Sequence, residues 1–259
     1  MARIKWDATG EKMFEVGVDH CVLYLINEQG EYTPGVPWNG ITQVSETPEG
    51  AEPESQYADN IKYLTLLSAE ELNGTIEAYM APPEWDQCDG NVEMTPGVTI
   101  GQQARKPFGL SYRTKIGNDT DGQDHGYKLH LLYGAQASPS ERTYETMNDS
   151  PEPITFSWEY TTTPVGVTGH SATALLTINS TLVDKEKLAA FEAILYGGDD
   201  SEEGRNSSTP PRMPLPDEVF QLFQGNEEAA AAARAYGMAR NAEAMASQAA
   251  IASGSRNAN

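Results

Sequence analysis

Positive charge is what this sequence has least of. Its 259 residues include 17 Lys and Arg against 38 Asp and Glu, a formal net charge of −21. A pI near 4.4 argues against nucleic-acid binding through phosphate contacts, which needs clustered Lys and Arg, and against an anionic membrane surface. No apolar run reaches the roughly 18 residues that a membrane span needs, so no membrane partner is expected. The stretch Met1–Val18 is interrupted by Asp7, Glu11, Lys12 and Glu15 and has no apolar h-region, so no secretory signal is expected. Cysteine is almost absent. Cys21 and Cys88 cannot build a disulfide framework in a chain this long, which fits a compartment that is reducing during synthesis. Cys21 lies inside the apolar run 18–26 and is expected as a core thiol. Cys88 lies in a Pro-, Gly- and Asp-rich stretch and is expected to be exposed.

Signatures of chemistry are missing as well. The sequence has no G-x-S-x-G elbow, no P-loop and no G-x-G-x-x-G. Glu70 and Glu71 are adjacent, so their carboxyls diverge rather than converge across a cleft. Of His20, His125, His130 and His170, none stands three or four residues from another. His20 beside Cys21 resembles half of a zinc pair, but neighbouring strand residues face opposite ways. The loop Asp119-x-Asp121-Gly122-x-Asp124 has a metal flavour. Against an EF-hand loop its Gly falls at position 4 instead of 6, and position 12 is His130 instead of Glu. A solvated hairpin loop is the favoured reading, and a metal-dependent hydrolase would rest on this loop alone. No catalytic residue, metal ligand, cofactor-binding residue or cofactor is therefore expected, and the chain reads as a non-enzyme. Trp6, Trp38, Trp85 and Trp158 are read as core or interface anchors. Trp38 and Trp85, in Pro/Gly-rich loops, are candidates for subunit contacts.

What is present is β-structure punctuated by turns. Apolar residues make up 39% of the chain, with 23 Gly and 16 Pro, enough for a core and inconsistent with wholesale disorder. Residues 16–26 read as a strand ending at the turn 27–30. Residues 31–60, dense in Pro and Gly, read as a long loop with one short strand near 40–44. Residues 61–67 and 72–80 read as two strands of a hairpin, with Leu72, Gly74, Ile76, Ala78 and Met80 on one face; a helix over 68–80 is the rival. Residues 81–107 read as loop. The clearest hairpin joins 108–116 to 127–133, and 154–163 with 171–179 form a further strand pair. Asp184 is expected to cap a helix that buries Leu188, Phe191, Ile194 and Leu195 and ends at Gly197-Gly198.

A linker composition runs from Asp199 to Pro216, followed by a short amphipathic piece at 217–223. Residues 226–259 are Ala-rich, with Glu227, Glu228 and Glu243 balanced by Arg234, Arg240 and Arg256, so the whole −21 lies in residues 1–225. Helical character is expected near 229–252, marginal without a partner. No internal repeat of about 20–50 residues is found. The expected fold class is mainly β (α+β), sandwich- or barrel-like with one flanking helix. The expected divisions are a β domain over 1–198, a linker and completing segment over 199–225, and an Ala-rich helical or flexible extension over 226–259.

Read in order, GVDHCVLY (17–24), GVPWNGITQVSE (35–46), YADNIKYLTLLSAEELNGTIEAYMAPPEW (57–85), FGLSYRTKIGNDTDGQDHGYKLHLLYG (108–134), FSWEYTTTPV (156–165) and LPDEVFQLF (215–223) resemble the major tail protein, or tail tube protein, of siphophages that infect Gram-positive bacteria. The resemblance covers about residues 4–224 and stops before the Ala-rich extension. It implies a structural virion protein of the phage tail, made in the host cytoplasm. Such subunits form hexameric rings that stack into a hollow tube carrying the genome to the host. Implied partners are further copies of the chain, the tape measure protein, the tail terminator and distal tail proteins, and double-stranded DNA that passes without specific binding. By the same analogy, 61–80 and 108–133 are expected to line the bore, and the loops 31–60 and 117–126 to reach neighbouring subunits. A wall of carboxylates would not trap the duplex. The competing reading is a non-enzymatic β-domain that binds carbohydrate or a surface, supported by the loop tryptophans.

Overall fold

The computed structural model describes residues 4, 6–27, 29–50, 52–68, 70–147, 149, 152–198 and 210–224. The expectations for 199–209 and for the Ala-rich extension lie outside the described residues.

The chain is mainly β, with fourteen strands and three α-helices. The strands are β1 (Phe14–Ile26), β2 (Tyr32–Pro37), β3 (Ile41–Gly50), β4 (Pro53–Ala58), β5 (Ile61–Leu67), β6 (Glu70–Ala78), β7 (Val92–Thr95), β8 (Val98–Ile100), β9 (Phe108–Asn118), β10 (Gly122–Ala137), β11 (Phe156–Thr162), β12 (Val165–Val167), β13 (His170–Thr173) and β14 (Leu175–Asn179). The helices are α1 (Asp86–Asp89), α2 (Lys185–Tyr196) and α3 (Pro216–Gln224). An antiparallel sheet of eight strands runs β2-β1-β9-β10-β11-β6-β3, with β14 also paired to β10. It curls, so that β3 comes into contact with β1 at the far end of the order.

Two cores follow from the curl. On the inner face, Cys21, Leu23, Ile76, Ala78, Phe108, Leu110, Leu132, Trp158 and Tyr160 pack together. On the outer face, Val22, Tyr24, Leu129, Leu131 and Tyr133 meet α2 and α3. Successive strand residues point to opposite faces, so the middles of β1 and β10 are buried on both sides. That is why CVLYLI and LHLLY read as unbroken apolar runs instead of alternating ones. The helix α2 is capped as expected, the Asp184 carboxylate accepting from the Glu186 and Lys187 N–H groups. Leu188, Phe191 and Leu195 are buried and Ile194 half-buried. Buried tyrosines find partners for their hydroxyls: Tyr24 donates to Leu195 O at 2.8 Å and Tyr133 to Pro214 O at 2.9 Å. Residues 210–216, expected as linker, instead pack on the domain, burying Met213 and Leu215.

The strand β10 changes partner along its length, pairing with β14 over 128–132 and with β11 over 135–137. Gly134 sits at the change with φ +58, and a Cβ there would lie 2.2 Å from Thr163 O. Gly134→Ala is therefore expected to destabilise the domain by about 1–3 kcal/mol, read as a lowered thermal midpoint.

Several sequence expectations are corrected. Residues 31–60 are not a long loop but carry β2, β3 and β4. Proline is tolerated in an edge strand or at a strand start; β2 and β3 are the two ends of the sheet order, and Pro53 opens β4. Residues 61–67 and 70–78 are strands, and Leu72, Gly74, Ile76 and Ala78 share the inward face, but β5 and β6 do not pair with each other. Met80 falls beyond the strand and is exposed. β5 pairs with β4, and β6 with β3 and β11. The result is one long hairpin from 41 to 78, turning at Asp59-Asn60. Residues 81–107 are not only loop: a helical turn and the small hairpin β7–β8 lie there. β11 and β14 do not pair with each other; both pair with β10. Cys88 is fully buried, because its helical turn folds over the inner core, and desolvation pushes its thiol up to about 12.

Candidate assembly surface

The outer half of the long hairpin is a two-stranded ribbon, β4 with β5, that leaves the main sheet. Its substantial contacts are internal. Every residue of β5 is exposed. Tyr57 is 73% exposed, Ile61 63%, Tyr63 69%, Leu66 54% and Leu67 69%. The turn residues Asp59 and Asn60 both have positive φ, 51° and 66°, the geometry of a tight hairpin turn whose twist matches the strands. A two-stranded ribbon wet on both faces is marginally stable in water, and large exposed apolar patches mark interaction sites.

A second surface is acidic. Along β3, β6 and β11 alternate residues point inward: Val44, Leu72, Ile76, Ala78, Phe156, Trp158 and Tyr160. The intervening residues form the other face, in cross-strand rows Gln43–Glu77–Ser157, Ser45–Thr75–Glu159, Thr47–Asn73–Thr161 and Glu49–Glu71. This face carries Glu49, Glu71, Glu77 and Glu159 and no Lys, Arg or His. Glu49 stands directly opposite Glu71. Like charges in that position destabilise a sheet, and only the Asn73 amide, donating to Glu49 at 3.1 Å, relieves them.

Where the curled sheet opens, polar groups close the inner core. The His130 ring stacks on Tyr112, centroids 4.7 Å apart and planes at 2°. Glu46 and Glu15 flank it, at 3.6 Å and 3.7 Å from its two nitrogens. The Tyr112 hydroxyl donates to Glu46, and Lys128 pairs with Glu15. The His130 imidazole and the Tyr112 hydroxyl hold the Glu46 carboxyl below the usual range. On the other face, Arg113 grips Asp19 with two bonds, Nε to Oδ1 at 2.6 Å and Nη2 to Oδ2 at 2.9 Å. This keeps Asp19 low too. Depressed carboxyls stabilise the folded state above their unfolded values of about 4 and lose that contribution as pH falls through the folded values. Asp19→Asn with Glu46→Gln is therefore expected to lower the thermal midpoint at pH 7, the gap to wild type narrowing steadily from about pH 4.5 downward.

The residues singled out in the sequence separate clearly. Trp38 and Trp85, candidates for subunit contacts, are buried at 2% and 1% exposure. They cluster with Trp158 and Phe108, at ring centroid distances between 4.7 and 5.7 Å. Only Trp6 is exposed among the four tryptophans. In the Asp119–Asp124 loop, Asn118 Oδ1 accepts from the Thr120 and Asp121 N–H groups, and Asp121 pairs with His125 at 2.9 Å. No group of three or more His, Cys, Asp or Glu is placed to hold a metal among the described residues. The sequence reading missed the ribbon as a projecting element, although Asp59-Asn60 between Tyr57 and Ile61 is a turn signal. It also missed the Glu49–Glu71 opposition, which exists only once the register is known. No model of a known protein family matches this chain, and no curated protein matches it.

Proposed function

We propose that the chain is a structural subunit that assembles with copies of itself into a hollow conduit, as its resemblance to siphophage tail tube proteins implies. The observation that carries this reading is the apolar ribbon β4–β5, which projects unburied from a folded domain and gains stability only against another molecule. The acidic face of β3, β6 and β11 suits a bore. DNA carries one negative charge per about 1.7 Å of axis, and carboxylates repel it within a Debye length of about 8 Å. Of the segments assigned to the bore by analogy, β6 fits this role. The strands β9 and the middle of β10 are covered on both faces, and 61–67 lies in the ribbon. The tape measure, terminator and distal tail proteins remain partners by resemblance. A carbohydrate-binding platform loses its support, because the loop tryptophans are inside the core.

Negative-stain electron microscopy of the purified chain over a range of concentration and salt tests the reading. Rings or tubes with a central hole are expected. A monomer that persists under all conditions would overturn it.

A further inference from the structure

A cleft of about 690 Å³ opens between the β9–β10 hairpin and the start of α2. Its lining includes Lys115, Lys185, Tyr127, Val183 and Leu188. Its cations differ from one another. Arg113 is committed to Asp19, and His125 to Asp121. Lys115 and Lys185 have no ion pair or hydrogen bond among the described residues. In a chain of charge −21, two unpaired ammonium groups on one concave surface form a receptor for an acidic group. Tyr127, Val183 and Leu188 beside them supply apolar wall. The fitting ligand is therefore an acidic point flanked by apolar side chains.

The ribbon tip has that pattern. Asp59 stands at the turn, with Tyr57 and Ile61 on either side, both largely exposed. A hairpin end two strands wide, about 5 Å between strand axes, suits a cleft of this volume, whereas a folded domain does not. We propose that the Ala58–Ile61 tip of one copy seats in the β9–β10/α2 cleft of the next, with the Asp59 carboxylate between Lys115 and Lys185 and with Tyr57 and Ile61 against Val183 and Leu188. The inference rests on the self-assembly reading and names the receptor for its ribbon. It also makes the contact heterologous: tip and cleft are different surfaces, so the contact propagates from copy to copy instead of closing a two-fold dimer.

Charge exchange in the full chain tests it. Asp59→Lys alone, and Lys115→Asp with Lys185→Asp, are each expected to weaken self-association at least tenfold by sedimentation velocity. The triple exchange is expected to restore it to within about threefold of wild type. All three positions lie at the surface or half-buried, and a thermal melt confirms folding. Independently, Asp59→Cys with Lys185→Cys is expected to give a ladder of disulfide-linked oligomers under mild oxidation, since Cys21 and Cys88 are buried. Neither single variant should give the ladder. If both charge reversals associate like wild type and no ladder forms, while removing the ribbon's apolar residues still abolishes association, the ribbon docks elsewhere and this inference falls alone. If wild type itself never associates, the self-assembly reading falls and takes the inference with it.

Discussion

Tyr57→Ser, Ile61→Ser, Tyr63→Ser and Leu66→Ser, combined in one chain, are expected to leave the domain folded and to abolish its self-association. The four side chains lie between 54% and 73% exposed and belong to neither core. Their loss therefore removes no packing from the subunit, and the thermal midpoint of the main domain should hold. In an assembled state the same residues would supply much of the driving force. Full burial of one large apolar side chain contributes about 1.5–3 kcal/mol. Part of that sum is consumed by ordering the partners, and each remaining 1.4 kcal/mol is about tenfold in the association constant. Even with half of the gross gain lost, four residues are worth roughly a thousandfold or more. Sedimentation velocity with a parallel melt by circular dichroism reads both halves of this result. A variant that associates like wild type would show that the ribbon is not the assembly element.

How far the sequence disclosed this arrangement depended on what each element needed. The β9–β10 hairpin and α2 are written in local pattern: apolar residues at strand or helix period, a turn or cap at each end. They emerge as read. The strands β2 and β3 are hidden because their prolines argue against strand, and that argument fails only for strands at a sheet edge. Edge position is a property of the whole sheet, invisible in a window of ten residues. The pairing of β5 was misread for a related reason. Ile61–Leu67 and Glu70–Ala78 are neighbours in the chain, but the tighter turn is at Asp59-Asn60, so each strand folds back on the segment before it. Composition placed Trp38, Trp85 and Cys88 in loops, correctly as to backbone character. It said nothing of where those loops lie, which is across the inner core. The acidic face is half legible, since Glu71 and Glu77 alternate with Leu72, Ile76 and Ala78. That Glu49 joins them requires the register of β3.

Trp85→Ala is expected to be the most damaging single substitution in the subunit. The indole is 1% exposed and lies 4.7 Å from Trp38, 4.8 Å from Phe108 and 5.7 Å from Trp158 between ring centroids. Truncating a buried tryptophan costs about 3–5 kcal/mol through lost transfer energy and the cavity left behind, a large share of the roughly 5–15 kcal/mol that holds a domain together. For a domain of this size the thermal midpoint should fall by about 6–20 °C. Trp6→Ala, at a residue 76% exposed, is expected to change stability by less than about 0.5 kcal/mol. Trp85→Phe keeps an aromatic ring in the cluster and removes an indole N–H that has no hydrogen-bond partner, so it should cost well under half as much as alanine. The order Trp6→Ala, Trp85→Phe, Trp85→Ala, read by thermal unfolding, separates a packed anchor from a surface contact residue. Were Trp85→Ala as mild as Trp6→Ala, the loop tryptophan would be free for a partner after all. The same substitution should also loosen the β7–β8 hairpin, since Trp85 and the Asp89–Arg142 ion pair anchor the segment from which that hairpin projects. Assembly should then weaken in step with stability, whereas the serine variants of the ribbon lose assembly with stability intact.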